Sequence, residues 1–255
     1  MHITLNAVLF GTALFAGMLL AQEIGVRVGR RRLAAMAEAP SGLGAIEGAI
    51  FGLMGLMVAF TFHGAASRFD ARRQLVVQEA NDIGTAYLRV DLLAPEAQPK
   101  VRDLFRRYVD TRLEVYRRLP DVAAARQALA RSEGLQREIW SAAVDAARDR
   151  PQATMLLLPA LNSMIDITTT RTMALQTHPP LEVFGMLGFL AVACSLLAGY
   201  GMAGNRRRSM LHVVGFAAIL TLTVFVILDY EFPRVGLIRL DAADRLLVDV
   251  RQSMR

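Results

Sequence analysis

At 255 residues, 54% of them hydrophobic and with a mean hydropathy of +0.35, the chain is too apolar for an ordinary soluble domain, and its 20% charged residues are too many for one embedded wholly in lipid. The net charge of +6 is carried by arginine, only Lys100 among the 29 basic residues being lysine, and has little weight as a sign of nucleic acid; no nucleic-acid partner is expected. The single cysteine, Cys194, excludes an intramolecular disulfide.

Four apolar runs, Leu5 to Gly25, Leu43 to His63, Leu181 to Gly201 and Leu211 to Asp229, are each long enough to cross roughly 30 Å of hydrocarbon at about 20 helical residues. The first is read as a retained span rather than a cleaved signal, because "MHITLN" offers no Lys or Arg before it and the apolar stretch is long for a signal core. Near its end stands Glu23, placed to pair with Arg27 one turn on. A short polar connection, "VRVGRRRLAAMAEAPS", leads to the second run.

"GLGAIEGAIFGLMG" opens that second run and sets Gly44, Gly48 and Gly52 four apart, a spacing that lets helix backbones approach closely. The pattern marks helix packing, against the first span or against another subunit. Glu47 on the same stretch is the deepest ionisable residue, and an intramembrane carboxylate faces protein, water or a base. After His63 the sequence turns charged within one helical turn, with Arg68, Asp70, Arg72 and Arg73, yet no proline appears before Pro95. The second span therefore continues as one rod of about 75 Å, and the change of composition marks the membrane surface. Arg68 and Arg72, where the rod leaves the membrane, are placed to concentrate anions.

The region from 65 to 179 has apolar residues at helical spacing, such as Val101, Leu104, Phe105 and Tyr108, with prolines between the segments. It predicts helices near 65–93, 100–119, 121–149 and 152–177. Pro179-Pro180 hinges the last of these to the third span. The chain thus divides into an N-terminal transmembrane hairpin (1–64), an inserted helical domain (65–179), a C-terminal transmembrane hairpin (180–230) and a polar tail (231–255). The fold class is an all-α membrane protein, multi-pass in the cell membrane.

A polar set gathers around the junction of spans and insert: His63, Glu79, Asn81 and Asp82 on the rod, Asn162, Asp166 and Arg171 before the third span, and Asp229, Glu231 and Arg234 after the fourth. Asn162 and Asp166, one turn apart in "MLLLPALNSMIDI", are expected to pair when their helix packs, and Glu79 and Asp82 share a face in the same way. Inter-helix bridges and an ion vestibule are both open readings of this set. No phosphate loop, nucleophile elbow or paired metal ligands appear, and His2, His63, His178 and His212 are scattered. No enzymatic activity, cofactor or metal is expected.

The blocks "SRFDARRQLVVQEANDIGTAYLRVDLL", "VRDLFRRYVDTRLEVYR", "LLLPALNSMIDITTTR" and "ILDYEFPRVGLIRL", in that order, resemble a bacterial family of membrane proteins with a bestrophin-like domain. That family is functionally uncharacterised. Bestrophins are pentameric anion channels with two spans on each side of a helical insert, so the resemblance implies a homo-oligomeric channel or transporter for small anions; a scaffold or sensor whose insert binds a partner is the alternative. The favoured topology has the short loops in the cytoplasm and the insert outside, although the signals conflict. Arg27, Arg30, Arg31 and Arg32 after the first span and Arg206, Arg207 and Arg208 in the other short loop favour a cytoplasmic side for the short loops, whereas Arg68, Arg72 and Arg73 and the bestrophin arrangement favour a cytoplasmic insert.

Overall fold

The computed structural model describes residues 2–35, 43–118, 121–204, 209–233 and 236–254. In order these form α1 (His2–Ala35), α2 (Leu43–Leu88) closed by a 3-10 turn (Arg89–Leu92), α3 (Gln98–Arg118), α4 (Val122–Ala147), α5 (Pro151–Gln176), α6 (Leu181–Gly201) closed by a second 3-10 turn (Met202–Gly204), α7 (Met210–Glu231) and α8 (Asp241–Ser253). No strand occurs among the described residues. Four apolar stretches are long enough to cross a membrane: Val8–Ala35, Gly44–Leu92, Pro151–Gly204 and Met210–Glu231.

Local chemistry explains the boundaries. Asp121 caps α4, its carboxylate accepting the Ala124 N–H at 3.0 Å, and Pro151 opens α5 at a position whose N–H needs no helical partner. α2 runs unbroken for 46 residues, about 69 Å, because nothing between Leu43 and Leu88 removes a backbone donor. The oily-to-charged change therefore lies within one helix. Segment 241–253, assigned to a polar tail from its composition, is a helix, and Leu247 and Met254 on or beside it are buried.

The chain divides into two compact units. The first comprises Met1–Ser67 and His178–Leu237. Here α1 and α6 run parallel and touch backbone to backbone. A Cβ on Gly25 would collide with the carbonyl of Leu196 and stand 2.9 Å from the Tyr200 nitrogen, and one on Gly199 would collide with the carbonyl of Gln22. Only glycine permits that approach. Met18, Leu187, Leu190, Ala191, Cys194, Ala217, Val224 and Ile227 fill the core, and Met54 of α2 joins them. Phe51 meets Phe216 edge to face at 6.0 Å, and Phe62 meets Tyr230 at 5.6 Å.

Arg68–Thr177 and Ile238–Arg255 form the second unit, a bundle of the later part of α2 with α3, α4, α5 and α8. Ile83, Phe105, Tyr108, Ile139, Leu157, Leu161, Met164 and Leu247 share one core. α8 is also tied to α3 at the surface, Arg251 donating to both carboxylate oxygens of Asp110 at 2.8 and 3.0 Å.

Candidate functional site

Within the second unit, α2 points Glu79 inward between Val76 and Ile83, so its carboxylate is fully buried. α3 carries Arg112 between Tyr108 and Tyr116 on its packed face, and α5 carries Arg171 on the face of Leu161, Met164 and Thr168. These stripes converge. Arg112 Nε donates to Glu79 Oε1 at 2.6 Å, Arg171 Nη1 donates to Glu79 Oε2, and Arg112 Nη2 donates to the Tyr116 hydroxyl, which lies 3.4 Å from Glu79 Oε2. Both guanidiniums stand over the Tyr116 ring, Arg171 at 4.2 Å and Arg112 at 5.3 Å from its centre. On α8, Asp244 lies 3.9 Å from Arg171 Nη2. Beside this cluster the Gln136 amide donates to Tyr108 and Thr168 hydroxyls at 3.2 and 3.0 Å.

Such a cluster is costly to desolvate and is tolerable because every charge meets an opposite charge and a hydrogen bond. The carboxylate oxygens are occupied by guanidinium and phenol donors. Chemically the cluster is a clamp joining α2, α3, α5 and α8. Arg112 was not singled out in the sequence, and Tyr116 was read only as one of the apolar positions of its helix; the signal was an arginine on the apolar stripe of α3, one turn from each of two tyrosines.

Arg72 is buried as well. Its Nε donates to the carbonyl of Ala174 at 3.0 Å and Nη2 to that of Thr177 at 2.9 Å, so this cation satisfies carbonyls that α5 leaves open at its C-terminal end. Arg68 is half-buried on the same helix.

The other sequence candidates are dispersed. Asn162 and Asp166 are both exposed and make no hydrogen bond to each other among the described residues, which corrects the expected pairing. α5 buries Leu161, Met164, Ile167 and Arg171, and a helix of 3.6 residues per turn then turns 162 and 166 outward. Asp82 also departs from the expectation: it is half-buried and accepts from Gln78 Nε2 at 3.1 Å, while Glu79 one turn away enters the core. Arg234 lies outside the described residues.

In the first unit, Asp229 is buried and its Oδ1 accepts the Leu237 N–H at 2.8 Å, with Gly236 packed directly on the carboxylate. Glu231 is fully buried and bonded through Oε1 to His178 Nδ1 at 2.9 Å, the His178 ring stacking on Phe232. His63 is exposed. Glu47 is half-buried, its Oε2 lying 3.7 Å from where a Cβ on Gly201 would stand. Gly44, Gly48 and Gly52 are exposed, and among the described residues no atom of another helix lies within 4 Å of a Cβ built on them. The close helix contact that their spacing suggested is made within this chain by Gly25, Gly29 and Gly199 instead.

A groove of about 400 Å³ between α3 and α4 is lined by Lys100, Asp103, Arg107, Glu138, Ser141 and Asp145 around Leu104 and Ala142. Its charged groups are exposed and mixed in sign, as on a solvated face. Among the described residues no three His, Cys, Asp or Glu side chains are grouped to hold a metal.

No curated protein and no solved structure matches the chain. The profile of the bestrophin-like domain matches residues 12–243, from α1 through α7 to the start of α8. The chain belongs to the bestrophin-like family.

Proposed function

We propose that several copies of this chain assemble in the bilayer and conduct small anions. The observation that carries the reading is the state of the second span: only 6% of its apolar window is buried, against 17–28% in the other three, and among the described residues nothing from another helix comes within 4 Å of a Cβ built on Gly44, Gly48 or Gly52. A lipid-facing helix has no need of a small-residue stripe, whereas a helix that approaches a second copy or lines a path between copies does. Family membership supports the same reading at the level of architecture. Single-channel recording of the purified protein in a planar bilayer tests it. A chloride or nitrate conductance is the expected result, and silence over a wide range of voltage and pH would remove the channel.

A second reading, a membrane scaffold or sensor whose insert binds a partner, is favoured by one observation. Glu79, Arg72 and Arg171, three of the charges that the sequence offers for an ion path or vestibule, are buried in bonds within the insert. An insert that retains a partner from solution while the protein passes no current would establish it.

A further inference from the structure

α1 continues well past its apolar stretch, to Ala35, and the end of the helix divides cleanly into two faces. Met18, Ala21, Gln22, Gly25, Val26 and Gly29 are packed. On the other side Leu20, Ile24 and Val28 are exposed, in a stripe that runs directly into Arg27 and Arg31. Positions 20, 24, 27, 28 and 31 fall on one helix face at spacings of three and four. An apolar stripe of this kind is where acyl chains lie, so Arg31 stands at the level where hydrocarbon gives way to headgroups.

The cations there are not equivalent. Arg27 Nε is held by Glu23 at 2.9 Å, and Arg32 Nη1 donates to the Tyr200 hydroxyl at 3.1 Å. Arg30 and Arg31 are exposed and have no ion pair among the described residues. Both are presented by a helix whose other face is locked to α6 through glycine contacts, which fixes their height relative to the apolar stripe.

We infer that Arg31, with Arg30 beside it, binds the phosphodiester of an anionic lipid headgroup at this end of α1. A guanidinium matches two phosphate oxygens with parallel N–H donors, and juxtamembrane basic residues gain roughly 1 kcal/mol each at an anionic surface. The stripe of Leu20, Ile24 and Val28 supplies a surface for the acyl chain of the same molecule, which free phosphate would leave unused. The inference rests on the membrane location and on α1 alone, and holds for a channel and for a scaffold.

The test is lipid retention by native mass spectrometry after purification in a neutral detergent, with phosphatidylglycerol or phosphatidylcholine added back. Wild-type protein is expected to keep phosphatidylglycerol over phosphatidylcholine and to release it as salt is raised from about 0.1 to 1 M, over which the screening length falls from roughly 10 to 3 Å. The double variant Arg30→Gln/Arg31→Gln should retain about 30-fold less, and Arg30→Lys/Arg31→Lys, which keeps the charge but not the paired donors, an amount between the two. Equal retention of the two lipids, undiminished phosphatidylglycerol in the Gln variant, or displacement by soluble glycerol phosphate would each overturn the inference. If the Gln variant fails to fold, the salt titration of wild-type protein decides: retention insensitive to salt overturns it.

Discussion

Glu79 shows why one buried charge cannot be judged by itself. Removing its carboxylate takes from Arg112 and Arg171 the buried anion that both donate to, so Glu79→Ala should cost roughly 3–5 kcal/mol and appear as a large fall in unfolding temperature. The exposed Arg251–Asp110 pair is a fair control, because Asp110→Asn should change stability by about 1 kcal/mol or less despite similar bond lengths. Glu114 gives a pH signature. The hydrogen bond from Arg131, assisted by Arg118, holds its carboxyl below the ordinary value of 4.5 against the opposing effect of desolvation. A lowered folded-state value means the contribution is complete above 4.5 and disappears as pH falls through the folded value. Glu114→Gln should therefore flatten the acid limb of α3–α4 stability, measured by hydrogen exchange in that pair of helices, by lowering protection slightly at neutral pH and matching the wild type in acid. At this scale the sequence was informative about type more than partner. Glu79 and Arg171 were named with the polar set around the junction of spans and insert, and so were Asn162 and Asp166, which face outward. Which face of α5 is buried depends on neighbouring helices that spacing does not reveal.

Helices were more legible than contacts. The rod, the insert helices and the spans follow from hydropathy and proline placement, which act over a few residues. The glycines did not follow so simply. "GLGAIEGAIFGLMG" advertises close packing, yet in this chain the backbone contact falls at Gly25 and Gly199, where Ala21, Gly25 and Gly29 on α1 and Ser195, Gly199 and Ala203 by α6 repeat the four-residue spacing less conspicuously. The difference is testable: Gly25→Ala places a methyl against the Leu196 carbonyl and should cost roughly 1–3 kcal/mol in thermal unfolding, while Gly48→Ala should leave the fold of the chain unchanged. A loss of assembly without loss of stability in Gly48→Ala would locate a subunit contact there. Continuity of α2 has its own test, since Leu75→Pro removes a helix hydrogen bond in the rod and should cost about 3 kcal/mol. α8 escaped sequence reading because its charged residues dominate its composition. Leu247, Val250 and Met254 nevertheless keep helical spacing, and a search by period rather than composition would have found it.

The molecule as a whole leaves one property to be decided by charge, namely which side of the membrane holds the insert. The end of α1 carries Arg27, Arg30, Arg31 and Arg32, and Arg206, Arg207 and Arg208 stand in the other short connection, whereas the segment before the first span has no Lys or Arg. Counted over short connections, that imbalance predicts a cytoplasmic arginine-rich side. The opposing charges, Arg68, Arg72 and Arg73, begin a segment of more than 100 residues, and Arg72 is consumed in capping α5, so both length and bonding reduce their influence on insertion. Placing the short connections inside also sets Arg30 and Arg31 at the anionic cytoplasmic leaflet, where a headgroup site has the most to gain. Cys194 is buried and is the sole cysteine, so a Cys194→Ser background permits a clean experiment. In intact spheroplasts an impermeant thiol reagent should label a cysteine at the exposed position of Ala123 and spare one at Ala35, with both labelled once the membrane is opened. Labelling at Ala35 with protection at Ala123 would invert the chain and put the insert in the cytoplasm, as in bestrophins. The lipid site would then face the outer leaflet, and its preference for anionic headgroups would have to be explained by the two arginines without help from the leaflet's own charge.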